Sequence, residues 1–192
     1  MNEVEAQTPW PEWQEEYRHG AFFIFPPEDV RVVVDELRRR YDAASASYCQ
    51  AHVSLSEPLA SPLTKEQTLE ITTALSNFAP FEVRYGPLRT FEPHPGVTYA
   101  IGPEDTFFNL RDVVHTTSAF AGREKRRAAI PPHMTIAEFI SIERTRELLA
   151  ELSSTVLSGT FWCGHVVYAV PDTTFNFRSV LHIPLDGREH PT

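Results

Sequence analysis

The chain has 192 residues, enough for one domain or two small lobes sharing a core. With 17 basic against 26 acidic residues and a formal charge of −9, it lacks the cationic surface that long RNA or DNA demands. No apolar run approaches the roughly 18 residues needed to span a bilayer. The first twenty residues are acidic and lack a basic region followed by an apolar stretch, so they do not read as a secretory signal.

In chain order, residues 1–20 read as an N-terminal extension and 21–192 as a single bilobal domain. Residues 21–26 are an apolar run closed by Pro26-Pro27, which suits a buried strand. Residues 28–42 set Val30, Val33, Val34, Leu37 and Tyr41 at helical spacing behind Glu28 and Asp29. A strand follows at 51–56. Thr64-Lys65-Glu66-Gln67 is a capping box, and the helix after it carries Leu69, Ile71, Leu75 and Phe78. Residues 81–91 alternate as a strand in which Pro87 marks an edge or a bulge.

The order then repeats: a strand at 97–102, a helix over 106–120, a strand at 133–139 and a helix over 143–156. Two strands, 160–170 and 174–185, are joined by the turn Pro171-Asp172-Thr173. Strand–helix–strand–helix–strand thus occurs twice, from about Ala21 and about Val97. The expected fold is α+β: two pseudo-symmetric lobes with central antiparallel sheets flanked by helices.

The third element of each copy carries one pattern: His52-Val53-Ser54-Leu55 in the first, His133-Met134-Thr135-Ile136 in the second. Alternate residues of a strand share a face. His52 and Ser54 therefore point one way with Val53 and Leu55 behind them, and His133 and Thr135 do the same over Met134 and Ile136. Two such strands side by side would surround a small anion with two imidazoles and two hydroxyls.

This pair of motifs resembles the two-histidine (2H) phosphoesterase superfamily, which includes 2′-5′ RNA ligase-like proteins and cyclic nucleotide phosphodiesterases. The resemblance covers roughly residues 20–185. It implies a bilobal fold with His-x-Ser/Thr motifs on central strands, and a phosphodiester as substrate. Ser54 stands where threonine is the commoner choice. The resemblance assigns His133 as base and His52 as acid.

Histidine suits both roles because its ordinary pKa is near 6.5. Ser54 and Thr135 would hold non-bridging phosphate oxygens. The run Arg123-Glu124-Lys125-Arg126-Arg127 reads first as a solvated loop; its functional reading is a phosphate-attracting lip near the site, with Arg123 touching phosphate. The scheme needs no cofactor and no metal.

The substrate expected is a nucleoside 2′,3′-cyclic phosphate or a 2′-5′ bond in a small nucleotide or short oligonucleotide. A non-catalytic nucleotide sensor and a 2′-5′ RNA ligase are the alternatives; a metal site finds no third ligand near either motif. His115-Thr116-Thr117 also fits His-x-Thr but falls in a helical pattern, where i and i+2 diverge. His165 and His182 read as structural or exposed. Tyr168, Phe175 and Phe177 read as core, with base stacking as the second reading. Cys49 and Cys163 are expected as free thiols in a cytoplasmic protein, and the oligomeric state is left open.

Overall fold

The computed structural model describes residues 10–91, 94–127, 130–154 and 158–187. After a short helix α1 (Glu12–Glu15), the first repeat runs β1 (Ala21–Ile24), α2 (Glu28–Tyr41), α3 (Ala43–Tyr48), β2 (Val53–Ser54), α4 (Lys65–Ser76) and β3 (Phe81–Phe91). The second runs β4 (His94–Gly102), α5 (Glu104–His115), a 3-10 turn (Ser118–Phe120), β5 (His133–Glu138), α6 (Ile142–Ser153) and β6 (Gly159–Cys163). Strands β7 (His165–Pro171) and β8 (Phe177–Pro184) close the chain.

The eight strands of the described residues join one antiparallel sheet in the order β6-β3-β4-β5-β2-β1-β7-β8. The motif strands β5 and β2 are the central pair, and four strands lie on either side of their seam. This is the mixed helix and antiparallel-sheet architecture expected. The third strands of both repeats, β3 and β6, lie together in one half, and the β7–β8 hairpin completes the other.

The single strand expected at 160–170 is two strands. Gly164 breaks it, and β6 and β7 lie six strand positions apart. A flat sheet would separate them by about 29 Å, yet only one residue joins Cys163 to His165, two Cα steps of about 3.8 Å. The sheet must therefore curl back on itself, which makes two lobes of one sheet.

The helices follow local signals. Glu28 and Asp29 at the start of α2 and Arg38, Arg39 and Arg40 at its end match the helix dipole. The capping box of α4 forms, with Gln67 N–H on the Thr64 hydroxyl at 3.2 Å and Thr64 N–H on the Gln67 side chain at 3.0 Å. The buried faces differ in detail from the expected ones. In α2 the buried stripe is Val30, Val34 and Arg38, four residues apart, so Val33 turns outward. In α4 it is Ile71 and Leu75, which leaves Leu69 outward, 68% exposed. Pro87 falls where β3 has lost its pairing to β6, at a shift in its register with β4, so its missing N–H leaves no ladder bond unmade.

The core beneath the motif strands includes Val53, Leu55, Met134 and Ile136, all essentially inaccessible. Cys49 and Cys163 are free thiols. Among the described residues no helix is long and apolar enough to cross a membrane.

Candidate active site

Val53 pairs with Met134 across the β2–β5 seam. Antiparallel pairing then sets His52 opposite Thr135 and Ser54 opposite His133. All four side chains rise from the face opposite the core and line one cavity of about 530 Å³. The two histidines are diagonal neighbours, a relation that spaces residues by roughly 7–8 Å. That leaves room for a phosphorus centre between them.

The imidazoles are held alike. His52 Nδ1 lies 2.7 Å from the carbonyl of Gln50, and His133 Nδ1 lies 2.9 Å from that of Pro131. A carbonyl oxygen only accepts, so in each neutral ring the proton sits on Nδ1 and Nε2 is the basic nitrogen. Each motif histidine thus bonds the carbonyl two residues before it, a partner the tetrapeptides did not reveal. Neither motif hydroxyl, Ser54 nor Thr135, is hydrogen-bonded to a protein group among the described residues.

Burial pulls the His52 pKa down to about 3, with the Arg38 charge next in effect; the Gln50 carbonyl opposes them. His133 is also lowered, first by burial and then by Arg89, Arg111 and Arg127, against the Pro131 carbonyl. Both shifts favour the neutral imidazole at pH 7. In both rings burial is the leading cause, and the neighbouring arginine charges act in the same direction.

Two of these arginines form a reciprocal pair. Arg38, on α2 of the first repeat, donates to the carbonyl of Thr135 in the second motif at 2.9 Å, and to those of Ser45 and Cys49 at 3.1 and 3.0 Å. Arg111, on α5 of the second repeat, donates to the carbonyl of Leu55 in the first motif at 3.2 Å, and to those of Arg127 and Ile130 at 2.7 and 3.0 Å. Both are nearly fully buried and both line the cavity. Each repeat's helix therefore fastens the other repeat's motif strand and lends it positive charge. A third arginine, Arg127, lines the same wall and is held by buried Glu57, whose Oε1 accepts the Arg127 N–H at 2.5 Å.

The basic run is divided among several tasks. The Arg123 guanidinium donates to the carbonyl of Pro58 at 2.6 Å and is not part of the cavity lining. Lys125 pairs with Asp112 at 2.9 Å and Arg126 with Glu16 at 2.8 Å. The residue of this run that reaches the cavity is Arg127. His115 is a buried structural histidine near the end of α5; its Nε2 accepts the Glu57 N–H at 3.1 Å. The rings of His165 and His182 lie 5.3 Å apart on β7 and β8, and neither lines the cavity. Tyr168 is core and donates its hydroxyl to the His19 carbonyl at 2.7 Å.

A bulge shapes the far end of the cavity. Thr98 pairs with Thr135 and Val97 with Ala137, so Ile136 is an extra residue in β5. Ile136 and Ala137 both face the core in consequence, and Glu138 is turned to the cavity, where strict alternation would have buried it. The next residue, Phe139, has φ 57°, a left-handed conformation costly for a bulky side chain, and its ring is 80% exposed at the cavity rim.

A seam of two antiparallel His-x-Ser/Thr strands at the centre of a two-lobed sheet defines a two-histidine phosphoesterase-like protein. Residues 26–174 match the model of the 2′-5′ RNA ligase superfamily, and the chain belongs to that family. A search of curated proteins returned no match. Among solved structures, a phosphoesterase aligns with a TM-score of 0.58 at 13% identity, covering 88% of this chain and 98% of its own. E. coli LigT complexed with 3′-AMP aligns at 0.56 and 12% identity, covering 88% and 97%. LigT complexed with ATP aligns at 0.52 and 12%, covering 86% and 96%. At these identities the likeness is one of fold.

Proposed function

We propose that the protein is a cytoplasmic, metal-independent phosphodiesterase that acts on a nucleoside 2′,3′-cyclic phosphate or on a 2′-5′ bond in a small nucleotide. The observation that carries this reading is the matched pair of imidazoles. Both rings project from adjacent central strands into one cavity, both have their tautomer set by a carbonyl, and two uncommitted hydroxyls lie between them.

In hydrolysis of a cyclic phosphate, His133 Nε2 takes a proton from water as the water oxygen bonds to phosphorus. The bond from phosphorus to one ribose oxygen breaks, and His52 Nε2–H protonates that oxygen. Ser54 and Thr135 donate to the non-bridging oxygens. The protonated His52 is produced by binding: a phosphate anion beside the ring favours the charged form against the burial and the Arg38 charge that disfavour it. The LigT structures complexed with 3′-AMP, ATP and NADP+ support a small nucleotide as ligand. The charge of −9 ranks RNA ligation lower.

The test is incubation with 2′,3′-cyclic nucleotides and 2′-5′ dinucleotides in excess chelator, with products identified by mass. Turnover with a single phosphomonoester product is expected; activity that chelation abolishes would overturn the metal-free scheme. A nucleotide-binding protein without turnover is the second reading, favoured by the burial that lowers the pKa of both rings and disfavours a charged acid. Tight binding with no product across the panel would establish it.

A further inference from the structure

The described part of the chain before residue 26, where the family match begins, is built into the candidate site. The Trp10–Gly20 segment is fastened at several points. Glu16 receives both Arg126 Nη1 and Nη2, at 3.2 and 2.8 Å. The Tyr168 hydroxyl donates to the His19 carbonyl at 2.7 Å, and Leu59 N–H to the Gly20 carbonyl at 2.9 Å. Arg127 lies over the Tyr17 ring at 5.3 Å.

So held, the segment walls a second compartment of about 420 Å³. This space opens from the first: His52, Ser54, Arg38, Arg127, Tyr17 and Glu138 line both. Its outer wall is aromatic. Trp13 lies 5.3 Å from Phe175, 6.2 Å from Tyr48 and 6.3 Å from Phe139. Trp13 is 45% exposed and Phe139 80% exposed, so two large rings stand uncovered at the mouth of a compartment that also reaches His52 and adjoins the cavity holding both histidines. At the junction sits Glu138, turned inward by the β5 bulge.

We infer that this compartment takes the nucleobase of the substrate and selects guanine, with Trp13 and Phe139 stacking on the base and the Glu138 carboxylate receiving its Watson–Crick edge. The inference rests on the reading of His52 and His133 as the phosphate site. A base linked to that phosphate would lie one ribose away, in the adjoining space. Stacking on an aromatic wall suits any base. A carboxylate has two acceptor oxygens, and guanine is the common base with a ring N–H and an amino group side by side on that edge. Adenine, cytosine and uracil each set an acceptor next to their donor.

The experiment is calorimetric titration of inorganic phosphate and of the 3′-monophosphates of guanosine, adenosine, cytidine and uridine, into the native protein, Trp13→Ala and Glu138→Gln. The native protein should bind the guanosine nucleotide about tenfold more tightly than the others, and every nucleotide more tightly than phosphate. Trp13→Ala should weaken all four nucleotides about tenfold and leave phosphate affinity unchanged. Glu138→Gln, which is isosteric, should erase the guanosine preference alone.

Native protein that binds phosphate but gains nothing from a base would overturn this inference and leave the phosphodiesterase reading standing. Equal loss of phosphate and nucleotide in Trp13→Ala would overturn the stacking role by making that residue structural. Guanosine preference kept in Glu138→Gln would overturn the role of Glu138. Native protein that binds neither phosphate nor nucleotide would overturn both readings.

Discussion

Replacing Arg111 by methionine isolates the cost of unfastening one motif strand. The side chain is 6% exposed and donates to three carbonyls, those of Leu55, Arg127 and Ile130. Methionine keeps much of the aliphatic volume and removes every donor. The Leu55 bond is buried, so its carbonyl is left without a partner, at about 2 kcal/mol. The other two bonds are partly buried beside the cavity, where water can replace the guanidinium, and each should cost about 0.5–1 kcal/mol. The sum is about 3–4 kcal/mol. For a chain of this size that lowers Tm by roughly 6–16 °C. Urea unfolding followed by circular dichroism, at constant m-value, measures it. A loss below about 1 kcal/mol would refute the reasoning, since it would mean that the Leu55 carbonyl is rehydrated or that the cation's own burial cost had cancelled its bonds.

Three further outcomes are expected. His52→Ala and His133→Ala should each lower kcat by about 10²–10⁴-fold on a cyclic nucleotide, and a variant that keeps most of its rate would remove its histidine from the scheme. Phosphate binding near pH 6.5 should take up protons, because burial favours the neutral form of both rings beforehand and an anion favours the charged form; titration in buffers of different ionisation enthalpy detects this, and zero uptake would deny it. Stability should fall as pH drops from 7 to 5. His52 has a folded pKa of about 3 against roughly 6.5 unfolded, so the unfolded chain binds the proton first and the penalty grows from about pH 6.5 downward. That amounts to up to about 2 kcal/mol at pH 5 from His52. His133 and His115, also lowered by burial, add to it, while Glu138, raised by burial, works the other way. A stability that is flat or rising toward pH 5 would contradict this, and His52→Ala should flatten the slope.

The seam of the site was legible because it depends on period-two alternation around each histidine, and on one helix–strand order occurring twice. The capping box at Thr64 was legible because its donors and acceptors lie within one turn. The arginines beneath the site were not, since arginine in a helix reads as solvated. A sign existed: Arg38 extends the Val30–Val34 spacing, and Arg111 stands four residues after buried Phe107. The bulge was written in β5 as two adjacent apolar residues, Ile136 and Ala137, which break the alternation that the expected strand assumed. Gly164 was equally visible within the run that became β6 and β7. Which of Arg123 and Arg127 would reach the cavity depends on long-range partners, Pro58 and Glu57, that no local pattern encodes. The placing of Trp13 beside Phe175 is likewise a contact across the whole chain.

The exchange of arginines between repeats has a dynamic consequence. A fluctuation that frees one motif strand must release its grip by the helix of the opposite half and also break its pairing to the other motif strand at Val53 and Met134. The two strands should therefore open together, with the amides of Val53 and Met134 exchanging with solvent deuterium at a common free energy rather than separately. A half-opened state that retains one ordered histidine has little to hold it, so the protein keeps both rings in register or neither.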